Sequence, residues 1–276
     1  MKKIIALILA GLLICGVVFA GCGNSESPKT TESSSSDSGD NSDVSDNSDV
    51  NSDTGSEASD DSGLKKNSDG LVEIYTADDL VAYREFANNE MNEAHKNDMT
   101  EKGCKTGFIL MDDIDMSSVT DWIPIGQKAV ESGGSYSSGT IEDTVIDGNN
   151  HSISNLNINT ERCALIEWMG GTDVKNLTFK NCSFHGEQNT AAIAFSAGNA
   201  NFTNITLEDT VSIVSDKSYA GALLIDSESI IFDNCNSAAT IKGVNDNYWV
   251  AHLLESDRET QFNNCNNTGS VSSSDN

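Results

Sequence analysis

Apolar residues in this chain recur in a short phrase, apolar, any, Asn, apolar or Cys. It appears five times: Ile153-Ser-Asn155-Leu156, Val174-Lys-Asn176-Leu177, Phe202-Thr-Asn204-Ile205, Phe232-Asp-Asn234-Cys235 and Phe262-Asn-Asn264-Cys265. The asparagines lie 21, 28, 30 and 30 residues apart, a period that belongs to stacked supersecondary units. Residues two apart on a strand share a face, and a slip of one residue reverses it. The apolar residue two before each Asn is in phase with it, whereas those one and three after it are not. The Asn therefore marks a corner where one short strand ends and the next begins. Asn tolerates the left-handed backbone such a corner needs, and its amide can bond its own image in the next coil. Asn155, Asn176, Asn204, Asn234 and Asn264 are thus expected to form one structural ladder along an all-β solenoid, a parallel β-helix.

A second column supports the register. Twelve, eleven and ten residues before successive asparagines stand Ala164-Leu165-Ile166, Ala192-Ile193-Ala194, Ala222-Leu223-Leu224 and His252-Leu253-Leu254, each preceded by a small residue (Cys163, Ala191, Gly221, Ala251). Small residues suit a close approach of stacked backbones. Length variation is confined to residues 185–190, 215–219 and 243–248, which are expected to be protruding loops.

With these columns in place the chain resembles the right-handed parallel β-helix proteins built from GLUG-type repeats, found in bacterial surface proteins and in some adhesins and peptidases. The motifs that carry the resemblance are Asp147-Gly-Asn-Asn-His-Ser-Ile-Ser-Asn-Leu156, Asp113-Ile-Asp-Met116, Trp122-Ile-Pro-Ile-Gly126 and Asn264-Cys-Asn-Asn-Thr-Gly-Ser-Val271. The resemblance covers residues 71–271. The resemblance implies a right-handed parallel β-helix and no single activity.

Ahead of the first coil, residues 71–75 have strand character, and Thr76-Ala-Asp-Asp79 is a capping signal with acids in the first helical turn. Leu80, Tyr83, Phe86 and Ala87 share one face of a helix that should run to about Asn88, with residues 90–105 as a loop. A helix laid over the end of a β-helix protects its strand edge. At the other end, the polar residues 272–276 follow a last coil around Phe262 and Val271, which is expected to be an open edge that frays.

The chain begins with Lys2 and Lys3, an apolar run over residues 4–20 and Gly21-Cys22. A basic start, an apolar stretch and a small residue before the break make a signal peptide. Phe19-Ala20-Gly21-Cys22 resembles a bacterial lipobox, which implies diacylation of Cys22 and anchoring to the bacterial cell membrane through lipid, with the rest of the chain extracytoplasmic. An uncleaved signal anchor is the alternative. Residues 23–70 are dominated by Ser, Asp, Asn, Gly and Glu and hold almost nothing to bury, which predicts a disordered acidic tether. Its 48 residues would reach about 160 Å when stretched but average nearer ~40 Å as a flexible chain. The β-helix unit, residues 71–271, should thus stay close to the membrane.

Charge excludes one class of partner. With 16 basic against 43 acidic residues and a formal charge of −27, direct binding to nucleic acid is disfavoured. Beyond Cys15 and Cys22, five cysteines remain (Cys104, Cys163, Cys182, Cys235, Cys265), without zinc-type spacing. Cys235 and Cys265 share a column and read as stacked, buried free thiols. A disulfide is the alternative, poorly served by parallel side-chain vectors.

Candidate chemistry is sparse. Asp112, Asp113 and Asp115 are the densest acidic group, a weak candidate for a metal site or an acid/base pair. The competing reading has Asp113 and Asp115 in solvent at a strand end, with Ile114 and Met116 inward. His95, His151, His185 and His252 lie in unrelated contexts, and Arg84, Arg162 and Arg258 fall outside any column of paired acids. No cofactor is implied. The resulting expectation is a noncatalytic, surface-anchored binding or adhesion lipoprotein whose solenoid is a platform for an extracellular glycan or protein. The alternative is a carbohydrate-active enzyme, a polysaccharide lyase or hydrolase, on the same fold. A concave groove lined by carboxylates and aromatics would favour the enzyme, and flat faces of Thr, Ser and Asn the binder.

Overall fold

The computed structural model describes residues 63–97, 103–127, 139–244, 247–248, 252–253 and 259–273. All belong to the second of two units, Thr54–Asn276. The expected signal peptide, Cys22, the tether up to residue 62 and tail residues 274–276 lie outside the described residues.

The alternation of apolar and polar residues does build a parallel β-helix. One sheet runs through Val72–Ile74, Phe108–Leu110, Val145–Asp147, Asp173–Lys180, Asn201–Leu207, Ile231–Asp233 and Gln261–Asn263. A second runs through Gly103–Cys104, Thr140–Glu142, Ile166–Gly170, Ala194–Gly198, Leu224–Glu228 and His252–Leu253, and a third through Asn157–Thr160, Ser183–Gly186, Ser212–Ser215, Thr240–Gly243 and Ser270–Ser273. A short fourth sheet joins Thr190–Ala191, Ala220–Gly221 and Asn247–Tyr248. Along the first sheet, Val72, Phe108, Ile146, Val174, Phe202, Phe232 and Phe262 stand in register. All but Phe262 are buried, and the rings of Phe202, Phe232 and Phe262 stack at centroid spacings of 5.3 and 5.0 Å. Each coil thus fills its own slice of the interior.

The corners are set by left-handed residues. Asn176, Asn204, Asn234 and Asn264 have φ between 53° and 55° and stack in one column. Asn234 donates from Nδ2 to Oδ1 of Asn204 at 2.8 Å, Asn204 to Asn176 at 3.0 Å, and Asn176 to Asp147 at 3.1 Å. Asn155 does not belong to this column. It pairs with the register of Asn181, which donates to its Oδ1, and itself donates to Asp115 Oδ1 at 2.8 Å. The short spacing of 21 residues reflects a step between two corners of the coil. The position preceding Asn176 by a full coil is Gly148, where a Cβ would stand 2.3 Å from the Asn176 carbonyl oxygen. A further corner column, Asp143, Gly171, Asn199 and Ser229, also has positive φ and links the second sheet to the first.

The cap exceeds its expected length. The helix, α1, spans Ala77–Asn97, nine residues past the expected end. Thr76 Oγ1 accepts from the Asp79 amide, and the Asp79 carboxylate accepts from the amides of Thr76 and Tyr75. Met91 extends the buried stripe of Leu80, Tyr83 and Ala87 by one more turn. Asn88 accepts from the Gly126 amide at 2.8 Å, and Tyr83 donates to the Thr106 carbonyl at 2.8 Å. Residues 64–66, assigned from composition to the tether, instead lie along the first strand, with an antiparallel bridge from Lys66 to Val72 and a bond from the Glu73 amide to the Lys65 carbonyl at 2.9 Å.

The second column holds for three coils and shifts in the fourth. Ile166, Ala194 and Leu224 pair as expected, but His252 pairs with Asp226 rather than with Ala222. Phe232 and Phe262 remain 30 residues apart, so the extra residues of that coil lie after Leu253. Of the loops expected at residues 185–190, 215–219 and 243–248, the first two are short turns between the strands Ser183–Gly186 and Thr190–Ala191 and between Ser212–Ser215 and Ala220–Gly221. They are tied to each other by Lys217 to Glu187 and by Ser218 donating to Asn189 at 2.7 Å, and to the coil before by Gln188 to Glu161. The third lies partly outside the described residues.

Candidate ligand-binding face

Each strand of the third sheet directs its apolar residue inward, Ile158, Phe184, Ile213, Ile241 and Val271 in successive coils. The residues one before and one after must then face out. They form two columns, Asn157, Ser183, Ser212, Thr240 and Ser270 beside Asn159, His185, Val214, Lys242 and Ser272. Parallel coils repeat at about 4.8 Å, so amide and hydroxyl groups recur along the face at that spacing.

Two grooves run beside this face, on either side of the turn at residues 208–210. One is lined by Ser117, Thr120, Asn155, Asn157, Asn181, Ser183, Thr210 and Ser212, the other by Thr206, Glu208, Asp209, Asn236, Asn266 and Thr268. The Asn181 amide is held by Thr210 Oγ1 at 2.8 Å. This bond ties Asn181, which also bonds Asn155, to the next coil. The first groove presents neutral donors and acceptors and the second adds the carboxylates of Glu208 and Asp209; an evenly spaced row of such groups can read the hydroxyl pattern of a linear polymer.

The acidic group is engaged in structure. Asp113 accepts from the Ser152 amide at 2.7 Å and from Ser152 Oγ at 2.9 Å, and these bonds hold its carboxyl below the usual range. Asp115 accepts from Asn155 Nδ2 and, at 3.0 Å, from the Ser117 amide, and is lowered in the same way. Asp112 accepts from the Asp113 amide at 2.7 Å. Asp113 and Asp115 are exposed while Ile114 and Met116 are buried. Their oxygens do not converge, and no group of three His, Cys, Asp or Glu side chains among the described residues could hold a metal ion.

Among the described residues, Glu167 is the acid with the opposite tendency. Its side chain is fully covered, with Arg162 at 2.5 Å. Burial raises its pKa against the attraction of Arg162. A carboxyl without solvent access is a wall element, not an exposed acid. His185 meets Asp216 at 2.9 Å on the outward face, a pairing across coils that sequence distance concealed. The side chains of His95, His252 and Arg258 lie outside the described residues. Four of the five cysteines are buried free thiols, and the fifth, Cys265, is a half-buried one in the column of Cys235. Burial pushes Cys182 up to about 11 and Cys235 up to about 12.

The outward Ser, Thr and Asn column was missed from sequence, although Asn155-Leu-Asn157, Asn181-Cys-Ser183, Thr210-Val-Ser212 and Thr268-Gly-Ser270 share one form: a polar corner, a small or apolar residue, then a polar outward residue.

No protein-family model and no curated protein matches the chain. Among solved structures, a Bacteroides ovatus protein described as a "putative immunoglobulin A1 protease" aligns with a TM-score of 0.48 and 12% identity, over 76% of this chain and 78% of that one.

Proposed function

We propose that this protein is a noncatalytic binding module, held at the outside of a bacterial cell membrane through Cys22, whose third sheet and neighbouring grooves bind an extracellular glycan. The observation that supports it is the continuous row of hydroxyl and amide side chains from Asn157 to Ser270, held in register by the parallel pairing of the coils. Glycans offer donors and acceptors at a regular repeat, which such a row matches without charge.

A glycan-array screen of the full chain tests the reading. Capture of one glycan class is expected, weakened at least about tenfold by Ser212→Tyr, which fills the groove and touches no core residue. Retention of the same affinity in that variant, or no capture at all, overturns it. Release of new reducing or unsaturated ends from a bound polymer would instead favour the enzyme. Anchoring is tested separately: Cys22→Ala should abolish lipid labelling and membrane retention, and unchanged retention would indicate a signal anchor.

A further inference from the structure

The register of the coils raises a ridge beside the third sheet. Leu207 pairs with Phe179 and Ser237, and Ser212 with Ser183 and Thr240. The corner between those positions holds four residues, 208–211, against three, 180–182, in the coil before and two, 238–239, in the coil after. The longer turn therefore stands out from the stack next to Ala238 and Ala239, whose side chains are too small to fill the space beside it. Its backbone is fixed by the Glu208 amide on the Phe179 carbonyl and by the Val211 amide on the Glu208 carbonyl, both at 3.1 Å. The second groove opens beside this ridge, with Glu208 and Asp209 on one wall and Asn236 and Asn266 among its other lining residues.

We propose that the glycan bound at this face carries unacetylated amino groups, and that Glu208 and Asp209 hold one of its ammonium groups in the second groove. The proposal rests on the glycan-binding reading above and names the class of sugar. Three observations lead there. Asp113, Asp115 and Asp147 accept hydrogen bonds from neighbouring coils, whereas among the described residues Glu208 and Asp209 have neither an ion pair nor a side-chain hydrogen bond within the fold. Asn236 donates from Nδ2 to the Asn234 carbonyl at 3.2 Å, which leaves its Oδ1 as a further acceptor in the groove. Finally, no Lys, Arg or His lines either groove, so nothing in the protein neutralises the two carboxylates there. An ammonium brings three donors to these acceptors, and a charge-assisted bond to a carboxylate is roughly twice as strong as a neutral one. An N-acetyl group in the same place has a single donor and no charge. A uronate would set its carboxylate against two unpaired acids in a chain of −27, a repulsion that selects against acidic glycans. The neutral row from Asn157 to Ser270 is left to read the ring hydroxyls.

Binding of the full chain in a non-ionic detergent is compared for hexamers of glucosamine and of N-acetylglucosamine, at a mildly acidic pH where the amines are protonated. The glucosamine hexamer is expected to bind at least about tenfold more tightly, and the advantage should shrink in high salt. Glu208→Gln with Asp209→Asn preserves shape on a solvated turn and removes the charge. It should bring the two hexamers to within about twofold of each other, with the circular dichroism spectrum unchanged. Asp209→Lys puts a cation on the ridge and should reverse their order. Equal affinity for the two hexamers, capture of other glycans but of neither hexamer, or a preference that survives the double variant overturns the inference and leaves glycan binding standing. A lysine hexapeptide bound as tightly as the glucosamine hexamer would indicate a site for any polycation and overturns it too. Capture of no glycan at all overturns the glycan-binding reading itself.

Discussion

At the scale of single residues, the corner asparagines perform two separable tasks: they accept a left-handed backbone and they link coils through their amides. Asn204 has φ 55° and bonds both Asn176 and Asn234. Asn204→Gly keeps the backbone and loses the bonds, which should cost about 1 kcal/mol. Asn204→Ala adds the left-handed penalty of about 1–2 kcal/mol, so urea denaturation should rank wild type above Gly above Ala; equal losses would show that the amide alone matters. Both described ladders end on an acid, Asp147 or Asp115. The folded chain lowers the pKa of Asp113 and Asp115, so their stabilisation is complete above the ordinary aspartate range. It is lost as pH falls through that range toward the lowered values. Asp115→Asn retains an acceptor for Asn155 and Ser117 without the ionisation. Its unfolding midpoint should consequently fall less steeply with acidification than the wild type's, and an identical acid limb would contradict the assignment.

Among the elements, α1 is the one whose removal should leave the coils standing while exposing their edge. Its Thr76 and Asp79 cap each other's amides, and loss of such a cap costs about 1 kcal/mol. The Cys104 thiol lies under the helix and donates to Glu90 at 3.0 Å, with burial raising its pKa strongly. Alkylation followed by peptide mapping should find Cys265 labelled first and Cys104, Cys163, Cys182 and Cys235 protected. Thr76→Ala should speed labelling of Cys104 roughly fivefold and leave Cys182 unchanged; a uniform increase would mean that the cap and coils open together. The start of α1 was legible because capping chemistry is local. Its end was not, because the polar stretch from Glu90 conceals Met91, which is buried in the structure. The Asn corners were legible because few residues accept positive φ. The shift at His252 was not, because a constant spacing of 30 between Phe232 and Phe262 does not say on which side of a corner extra residues fall. The polar face escaped notice for a different reason: Ser, Thr and Asn satisfy both a solvated surface and a binding row, and only the register shows that they align.

At the scale of the whole β-helix unit, the described residues form a stack in which each coil touches chiefly its neighbours, so stability is a sum of coil and interface contributions rather than the property of one core. A platform of this kind is stiff along its length and can hold a polymer-sized row of contacts, the feature on which the proposed glycan binding relies. The same architecture makes damage local. Phe232 is fully buried between Phe202 and Phe262, and Phe232→Ala should remove about 3–5 kcal/mol from that slice. The loss should not spread evenly. Coupling of the Gln261–Asn263 and Ser270–Ser273 strands to the stack runs through this slice, so their amides should exchange at rates near those of an unfolded chain. Amides in Phe108–Leu110 and Asp173–Lys180, which rest on α1 and on intact coils, should keep most of their protection. Hydrogen exchange resolved by segment distinguishes this from a single cooperative unit, in which all four segments would lose protection together and the picture of independent slices would fail.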